Sequence, residues 1–356
     1  MGLPAATPAP LFSAPSPVNP KFAFGIVGGR YVLLAFLPPP SPERDAAIAQ
    51  VVANRDLIRD DEVLVFGVLP DEESFRRARD AVNGLRWFGD WDGEIRRLYG
   101  AAGADGQVRP QWVLIDPSLR ILSGGALADI ESAFAALREL GPAEDHAGVP
   151  RHAPVLIVPR VLEPGFCRDL IAVYEQVGGR PSGVMRQADG KTVGVLDDFK
   201  SRRDAVIPEG PLVEGLRGRV ATRLAPEMLK AFQFRVSRIE RFIVACYDAE
   251  DGGYFRPHRD NTTPGTAHRK FAVSINLNAE EFEGGDLRFP EFGPRTYRPP
   301  TGGAVVFSCS LLHEATPVTR GRRFATLPFL YDEEGARIRV ANQSSLAAAE
   351  PQPTSS

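Results

Sequence analysis

Cysteine is scarce, with three in 356 residues: Cys167, Cys246 and Cys309. They are odd in number and far apart, so they make neither a disulfide framework nor a thiolate metal cage, and they suit a reducing compartment. None precedes Cys167, which excludes thiol chemistry from the first part of the chain, because the reactive species there would be a thiolate. Long apolar runs are missing as well. The longest candidate, Tyr31 to Leu37, ends at Pro38-Pro39-Pro40, well short of the ~18 residues that a membrane span needs. The N-terminus shows neither the basic start nor the apolar core of a signal peptide. Positive charge is not in excess: 42 Lys and Arg against 45 Asp and Glu leave a net charge of −3. Nucleic acid and membrane are therefore not expected partners, and a cytoplasmic protein is. At this length two domains are expected, each with its own core.

Histidine is also rare, with five in all, and in the stretch from Ala245 to Leu330 two of them, His258 and His313, have surroundings that a metal site would explain. His258 and Asp260 are two apart, and on a strand such residues share a face, so one segment can aim an imidazole and a carboxylate at a common point. By itself a His-x-Asp pair is more often a solvated surface pair. His313 changes the balance: it follows the strand-like run Ala304 to Cys309 and precedes another, Arg323 to Tyr331. Two histidines and a carboxylate form the facial triad that holds non-haem Fe(II) with open positions. A closed zinc site would want four ligands, commonly with cysteine.

With these residues in place, the region from Val161 to Asp332 resembles the Fe(II)/2-oxoglutarate-dependent dioxygenases of the prolyl 4-hydroxylase-like group. The resemblance is carried by His258-x-Asp260, His313, Arg323 ten positions later, Tyr247, and the run Gly284-Gly285-Asp286-Leu287-Arg288-Phe289-Pro290. It implies that His258, Asp260 and His313 are catalytic metal ligands for Fe(II), and that Arg323 and Tyr247 hold 2-oxoglutarate. O2 is the oxidant and ascorbate a further candidate cofactor. A guanidinium suits the role of anchor, since it offers parallel donors to a carboxylate and keeps its charge. Alternation places Arg323 on the face opposite Arg322, which is the fallback anchor. The resemblance also implies a mainly-β domain, a double-stranded β-helix or jelly roll with flanking helices. Its expected activity is hydroxylation of an unactivated C–H on a prolyl, peptidyl or amino-acid-like substrate, with a small natural product as the alternative. A non-catalytic module stabilised by iron and 2-oxoglutarate is the reading from another class. With Asp260 occupying its position, hydroxylation rather than halogenation is expected.

Other residues of this stretch read more plainly. Tyr254 and Phe255 are pocket wall or core, and Cys246 and Cys309 are small buried hydrophobes beside the ligands. His268 is a polar residue at a strand entrance and the spare histidine. The run Asp197 to Asp204 is a solvated face or, failing that, a substrate-contacting loop.

The rest of the chain divides by composition. Residues 1–20, with six prolines, read as a disordered arm. Residues 21–142 alternate strands and helices, which indicates a layered α/β domain. A hairpin or strand pair split by Gly28-Gly29 is expected over Phe22 to Phe36. Ser41-Pro42-Glu43 starts a helix, Val63 to Leu69 is a buried strand, Asp71 caps a helix carrying Phe75, Ala78 and Val82, and Leu127, Ile130, Phe134 and Leu137 face inward from the last helix. The runs YVLLAFLPPP, VLVFGVLPDEESF, GDWDGEIRRLYGAAG and RPQWVLIDPSLRIL resemble a peroxiredoxin-like thioredoxin fold, here without its cysteine. A structural role follows: docking a partner protein, clamping the second domain or presenting substrate. Residues 143–160 are a linker with His146 and His152 exposed, 161–335 the dioxygenase domain, and 336–356 a disordered tail. A helix from Pro164, a helical pattern over Leu212 to Phe234 interrupted at Pro226, and alternation from Phe234 to Cys246 complete the reading.

Overall fold

The structure, a computed structural model, describes residues 3–78, 84–103, 106–188 and 190–345. It separates into two compact units, Met1–Ala153 with Pro290–Pro294, and Pro154–Phe289 with Arg295–Ser356. No helix among the described residues is long and apolar enough to cross a membrane.

The first unit is built on a five-stranded mixed sheet. Its order is Leu85–Gly89, Val63–Leu69, Tyr31–Phe36, Gln111–Ile115, Ile121–Ala126. The first three strands are parallel and the last two antiparallel. Tyr31–Phe36 and Val63–Leu69 are buried at every position, because apolar side chains cover both faces. One core holds Leu33, Val65, Leu114 and Phe134, the other Val32, Leu34, Phe66 and Phe88. The helix Pro42–Ala53 begins as its sequence requires: the Ser41 hydroxyl accepts from the Arg44 N–H, with proline in the first turn. Asp71 likewise accepts from the Ser74 N–H ahead of Glu72–Ala78. Val82 lies outside the described residues.

Two expectations for this unit fail. Phe22–Ala23 does not pair with Tyr31–Phe36 across Gly28-Gly29; it pairs with Ser13–Ala14, and a short 3₁₀ turn, Phe24–Val27, leads into the central strand. Residues 3–20 are not a loose arm either. Ala9, Phe12 and Ala14 are buried, and Phe12 stacks on Phe24 with ring centres 4.6 Å apart and meets Phe88 edge-on. Three apolar anchors placed between prolines suffice, since proline carries little conformational entropy to lose. The segment 143–160 is also more than a linker. His146 is held by Ser118 at 2.9 Å and by the Ala143 carbonyl at 2.9 Å, whereas His152 is exposed. Leu156–Val158 is a strand paired with Ala304–Ser308.

The second unit carries two larger sheets. The first runs Arg238–Glu240, Phe329–Tyr331, Phe271–Asn276, Arg322–Thr326, Ile243–Asp248, Arg203–Val206, Arg180–Pro181, with Ala304–Ser308 also joined to Phe271–Asn276. The second runs Lys200–Ser201, Tyr254–His258, His313–Ala315, Leu287–Arg288, Thr296–Tyr297. Alternation divides the faces of the first sheet. Val244, Cys246, Ile275, Val306 and Phe324 pack against Phe166 and Leu170 of the helix Pro164–Val177 and Leu216 of the helix Pro211–Arg219. Ile243, Ala245 and Tyr247 point the other way, towards Ala315 of the second sheet and Phe282. The interruption at Pro226 is real: a π-helical turn, Val220–Leu224, joins Pro211–Arg219 to Ala225–Phe232, absorbing the amide hydrogen that proline lacks. The tail expected to be disordered over 336–356 begins instead in a helix, Glu333–Ala341, capped by Asp332; residues 346–356 lie outside the description.

Candidate metal centre and its cavity

His258 and His313 are opposite one another on adjacent antiparallel strands, with ring centres 4.2 Å apart. Each ring is aimed by its own backbone. Nδ1 of His258 donates to the Arg256 carbonyl at 2.8 Å, and Nδ1 of His313 to the Leu311 carbonyl at 3.0 Å. A carbonyl can only accept, so the proton sits on Nδ1 and the Nε2 lone pair is free. Asp260 does not reach the site by strand alternation as expected. The strand ends at His258, and Asp260 lies in the turn after it, where its N–H donates to the Cys309 carbonyl at 2.9 Å. Its carboxylate oxygens then stand 3.6 Å from Nε2 of His258 and 3.3 Å from Nε2 of His313. All three ligand atoms lie within 4.8 Å of one another. Adjacent ligands of an octahedral ion, each about 2.1 Å from it, stand about 3 Å apart. Two imidazoles and one carboxylate, with no fourth protein ligand among the described residues, therefore fit an Fe(II) ion with open positions.

The electrostatics agree with that fit. Burial, and then the neighbouring His313, hold His258 well below its usual range, so it is a neutral donor. Burial alone would raise Asp260, but the surrounding histidines together with Arg269 and Arg241 outweigh it, and the carboxyl is held low. Phe255 stacks on His258 at 3.4 Å between ring centres, and Phe307 packs beside His313.

A cavity opens between the two sheets and contains these ligands. Arg323 lines it, 2% exposed. Its guanidinium donates to the Ser274 hydroxyl at 2.8 Å, lies 3.4 Å from the Asn276 amide oxygen, and sits 5.1 Å from the centre of the Tyr247 ring. No carboxylate among the described residues pairs with it, although a buried cation ordinarily requires one. Arg322 points away and pairs with Glu175 at 3.0 Å. Arg323 and not the fallback therefore faces the cavity. Tyr247 lines it beside Arg323, its strand partner.

His268 stands apart. It is buried and bonded through Nε2 to Glu240 at 2.9 Å, a partner that also accepts from Arg269. Tyr254 is bonded to the Asp198 carbonyl, and Cys167, Cys246 and Cys309 are buried.

The run Asp197 to Asp204 contains what the sequence did not single out. The chain crosses from the second sheet, Lys200–Ser201, to the first, Arg203–Val206, and Arg202 at the crossing is buried and lines the cavity. It grips Asp204 with two bonds of 2.7 Å and reaches the Tyr247 hydroxyl at 3.3 Å. Alternation within the run could have separated Arg202 and Asp204 from the exposed Arg203. Arg241, also on the cavity wall, had no such signal.

The sequence from 242 to 331 matches the model of the 2OG-Fe(II) oxygenase superfamily. A PKHD-type hydroxylase of Pseudomonas fluorescens is 29% identical over 148 residues, covering 39% of this chain and 65% of that protein, just under two thirds of its length. A PKHD-type hydroxylase of Bordetella pertussis is 31% identical over 172 residues, 44% of this chain and 71% of that protein. Among solved structures, a Pseudomonas putida prolyl-4-hydroxylase aligns with a TM-score of 0.38 and 18% identity, over 53% of this chain and 95% of that one. The chain belongs to the 2OG-Fe(II) oxygenase superfamily, among its PKHD-type hydroxylases, a family whose chemistry uses Fe(II), 2-oxoglutarate and O2.

Proposed function

We propose that the second unit is an Fe(II)- and 2-oxoglutarate-dependent oxygenase that hydroxylates an unactivated C–H of a prolyl, peptidyl or amino-acid-like substrate. Its two facing sheets read as a double-stranded β-helix with the site between them. The observation that carries the proposal is the sharing of one cavity by a three-ligand donor set and a buried guanidinium that has no counter-ion among the described residues. His258, Asp260 and His313 would hold the iron. Arg323 would hold one carboxylate of 2-oxoglutarate with two parallel donors, and Tyr247 would add its hydroxyl. When bound, the iron and co-substrate supply oxidation by O2, one oxygen atom going to succinate and the other to the product alcohol, with release of carbon dioxide.

The protein's own contribution is positioning. The backbone bonds to both Nδ1 atoms keep each Nε2 directed inward. Phe255, Phe307, Leu287 and Leu327 wall the cavity with apolar surface that limits water at the reacting centre. The first unit holds no cysteine, so its role is read as structural.

Anaerobic titration of Fe(II) into the full chain with 2-oxoglutarate tests the proposal. A visible charge-transfer band is expected, abolished by Asp260→Ala and weakened by Arg323→Ala. Absence of the band in folded wild-type protein would overturn it.

A further inference from the structure

Two guanidiniums on the cavity wall share one carboxylate. Arg202 takes most of Asp204, through Nε and Nη2 at 2.7 Å each, and Ser182 donates to the same carboxylate at 2.6 Å. Arg241 is left with a single bond to Asp204, from Nη2 at 3.3 Å. Its side chain is 26% exposed and lies against the face of Phe329. The remaining N–H groups of Arg241 have no protein partner among the described residues. The backbone at Arg241 is left-handed, φ 72°, a conformation costly for a long side chain and one that concentrates at functional sites.

Charge counting shows what is missing. The inference rests on the oxygenase reading above. Under it, Fe(II) brings two positive charges, which Asp260 and one carboxylate of 2-oxoglutarate match, and the other carboxylate matches Arg323. Arg202 is matched by Asp204. Lys200, nearby, adds little at neutral pH, because burial and then Arg202 hold its amine down at about 6. Arg241 remains as one positive charge, on the wall of a cavity that already contains the ligands, without a counter-ion of its own. Burial and then Arg202 press on it, bringing it down to about 10.

The geometry points to Arg241 as the site that receives a free carboxylate of the primary substrate. A planar guanidinium binds a carboxylate through parallel donors, and one unmatched charge calls for a singly charged group rather than a phosphate monoester. The substrate class is thereby narrowed to molecules with an α-carboxylate at the reacting residue: a free amino or imino acid, or the C-terminal residue of a peptide. A proline inside a peptide chain presents only an amide there.

The test uses the full chain loaded with Mn(II) and 2-oxoglutarate under nitrogen, so that binding is read without turnover. The free L-amino acids, proline first, are compared with their carboxamides by saturation-transfer NMR, and peptides with free C-termini with their C-terminal amides. At least one acid is expected to bind ten-fold or more tightly than its amide, and the arm in which it appears separates the two sources. Arg241→Asn, which tolerates the left-handed backbone, is expected to weaken that acid about ten- to hundred-fold, leave the amide unchanged, and keep 2-oxoglutarate affinity within two-fold. Arg241→Lys is expected to recover part of the loss. Equal binding of acid and amide overturns the assignment, as does binding of no acid in either arm. A loss of 2-oxoglutarate affinity in Arg241→Asn also overturns it, by giving Arg241 to the co-substrate. If wild-type protein binds no 2-oxoglutarate, the oxygenase reading fails by itself, and the comparison of acid with amide still reports on Arg241.

Discussion

Tyr247 and Arg323 are directly opposed across an antiparallel strand pair, and the guanidinium lies 5.1 Å from the centre of the phenol ring, deep in the cavity. Ser274 and Asn276 hold the guanidinium from the neighbouring strand Phe271–Asn276. Arg323→Lys keeps the charge but gives up the fork. Loss of charge-assisted bonding worth roughly 1.5–3 kcal/mol corresponds to a rise in the 2-oxoglutarate Kd of roughly 10- to 150-fold. Arg322→Ala removes an exposed pair with Glu175 and a contact with the Phe324 ring, both outside the cavity, and is expected to change that Kd less than two-fold. Equilibrium titration of the charge-transfer band compares the two variants.

Iron should stabilise the folded protein, since its three ligands converge only in the native state. At about 100-fold excess over its Kd the ion adds about 2.7 kcal/mol. Anaerobic thermal unfolding is expected to show one transition moving up with Fe(II), and Asp260→Ala is expected to abolish the movement. An equal shift in the variant would separate the stabilisation from this site.

Gly285 has φ +67°, and a Cβ there would lie 2.8 Å from Val318 and 3.2 Å from the Arg323 stem. Gly285→Ala is therefore expected to cost roughly 1–2 kcal/mol from the backbone alone, and to weaken 2-oxoglutarate binding by displacing the arginine. Chemical denaturation and the same titration read the two effects separately.

Glu240 accepts from His268 and Arg269 and lies within 3.3 Å of Arg339. Burial would raise its carboxyl, but these partners outweigh it and bring it down to about 2 from the usual 4.5. A depressed carboxyl stabilises the fold above its unfolded value and loses that contribution as pH falls, here between about 4.5 and about 2. The stake is about 3 kcal/mol. Glu240→Gln should flatten the dependence of the unfolding free energy on pH across that window.

Phe12→Ala removes a ring stacked on Phe24 and edge-on to Phe88. A core aromatic truncated to alanine costs about 3–5 kcal/mol, so the first unit should unfold at markedly lower denaturant. A change within experimental error would mean that the segment 3–20 is not part of the core.

That last case shows where sequence reasoning stops. His258, Asp260, His313 and Arg323 were legible because histidine is rare here and the strands around the ligands alternate cleanly. The layered order of the first unit was legible for the same reason, in runs such as Val63 to Leu69. Phe12 was not, because a single aromatic among prolines gives no periodicity. The partner of Phe22–Ala23 was hidden too, since Gly28-Gly29 imitates a hairpin turn. Arg202 and Asp204 sat in a run of mixed charge that composition describes as solvated, and only the crossing between sheets buries them. Asp260 does come to the two histidines, but a hydrogen bond to Cys309, not the expected strand alternation, brings it in.

That bond ties the two ligand-bearing segments to each other, for Cys309 lies four residues before His313 on the chain that returns to it. Together with the two imidazole tethers, it means that a metal ion arrives at a socket whose walls are already joined. Little chain entropy is then spent on capture, and exchange of one ion for another should proceed without refolding. Choice among ions falls to ligand chemistry and cellular supply.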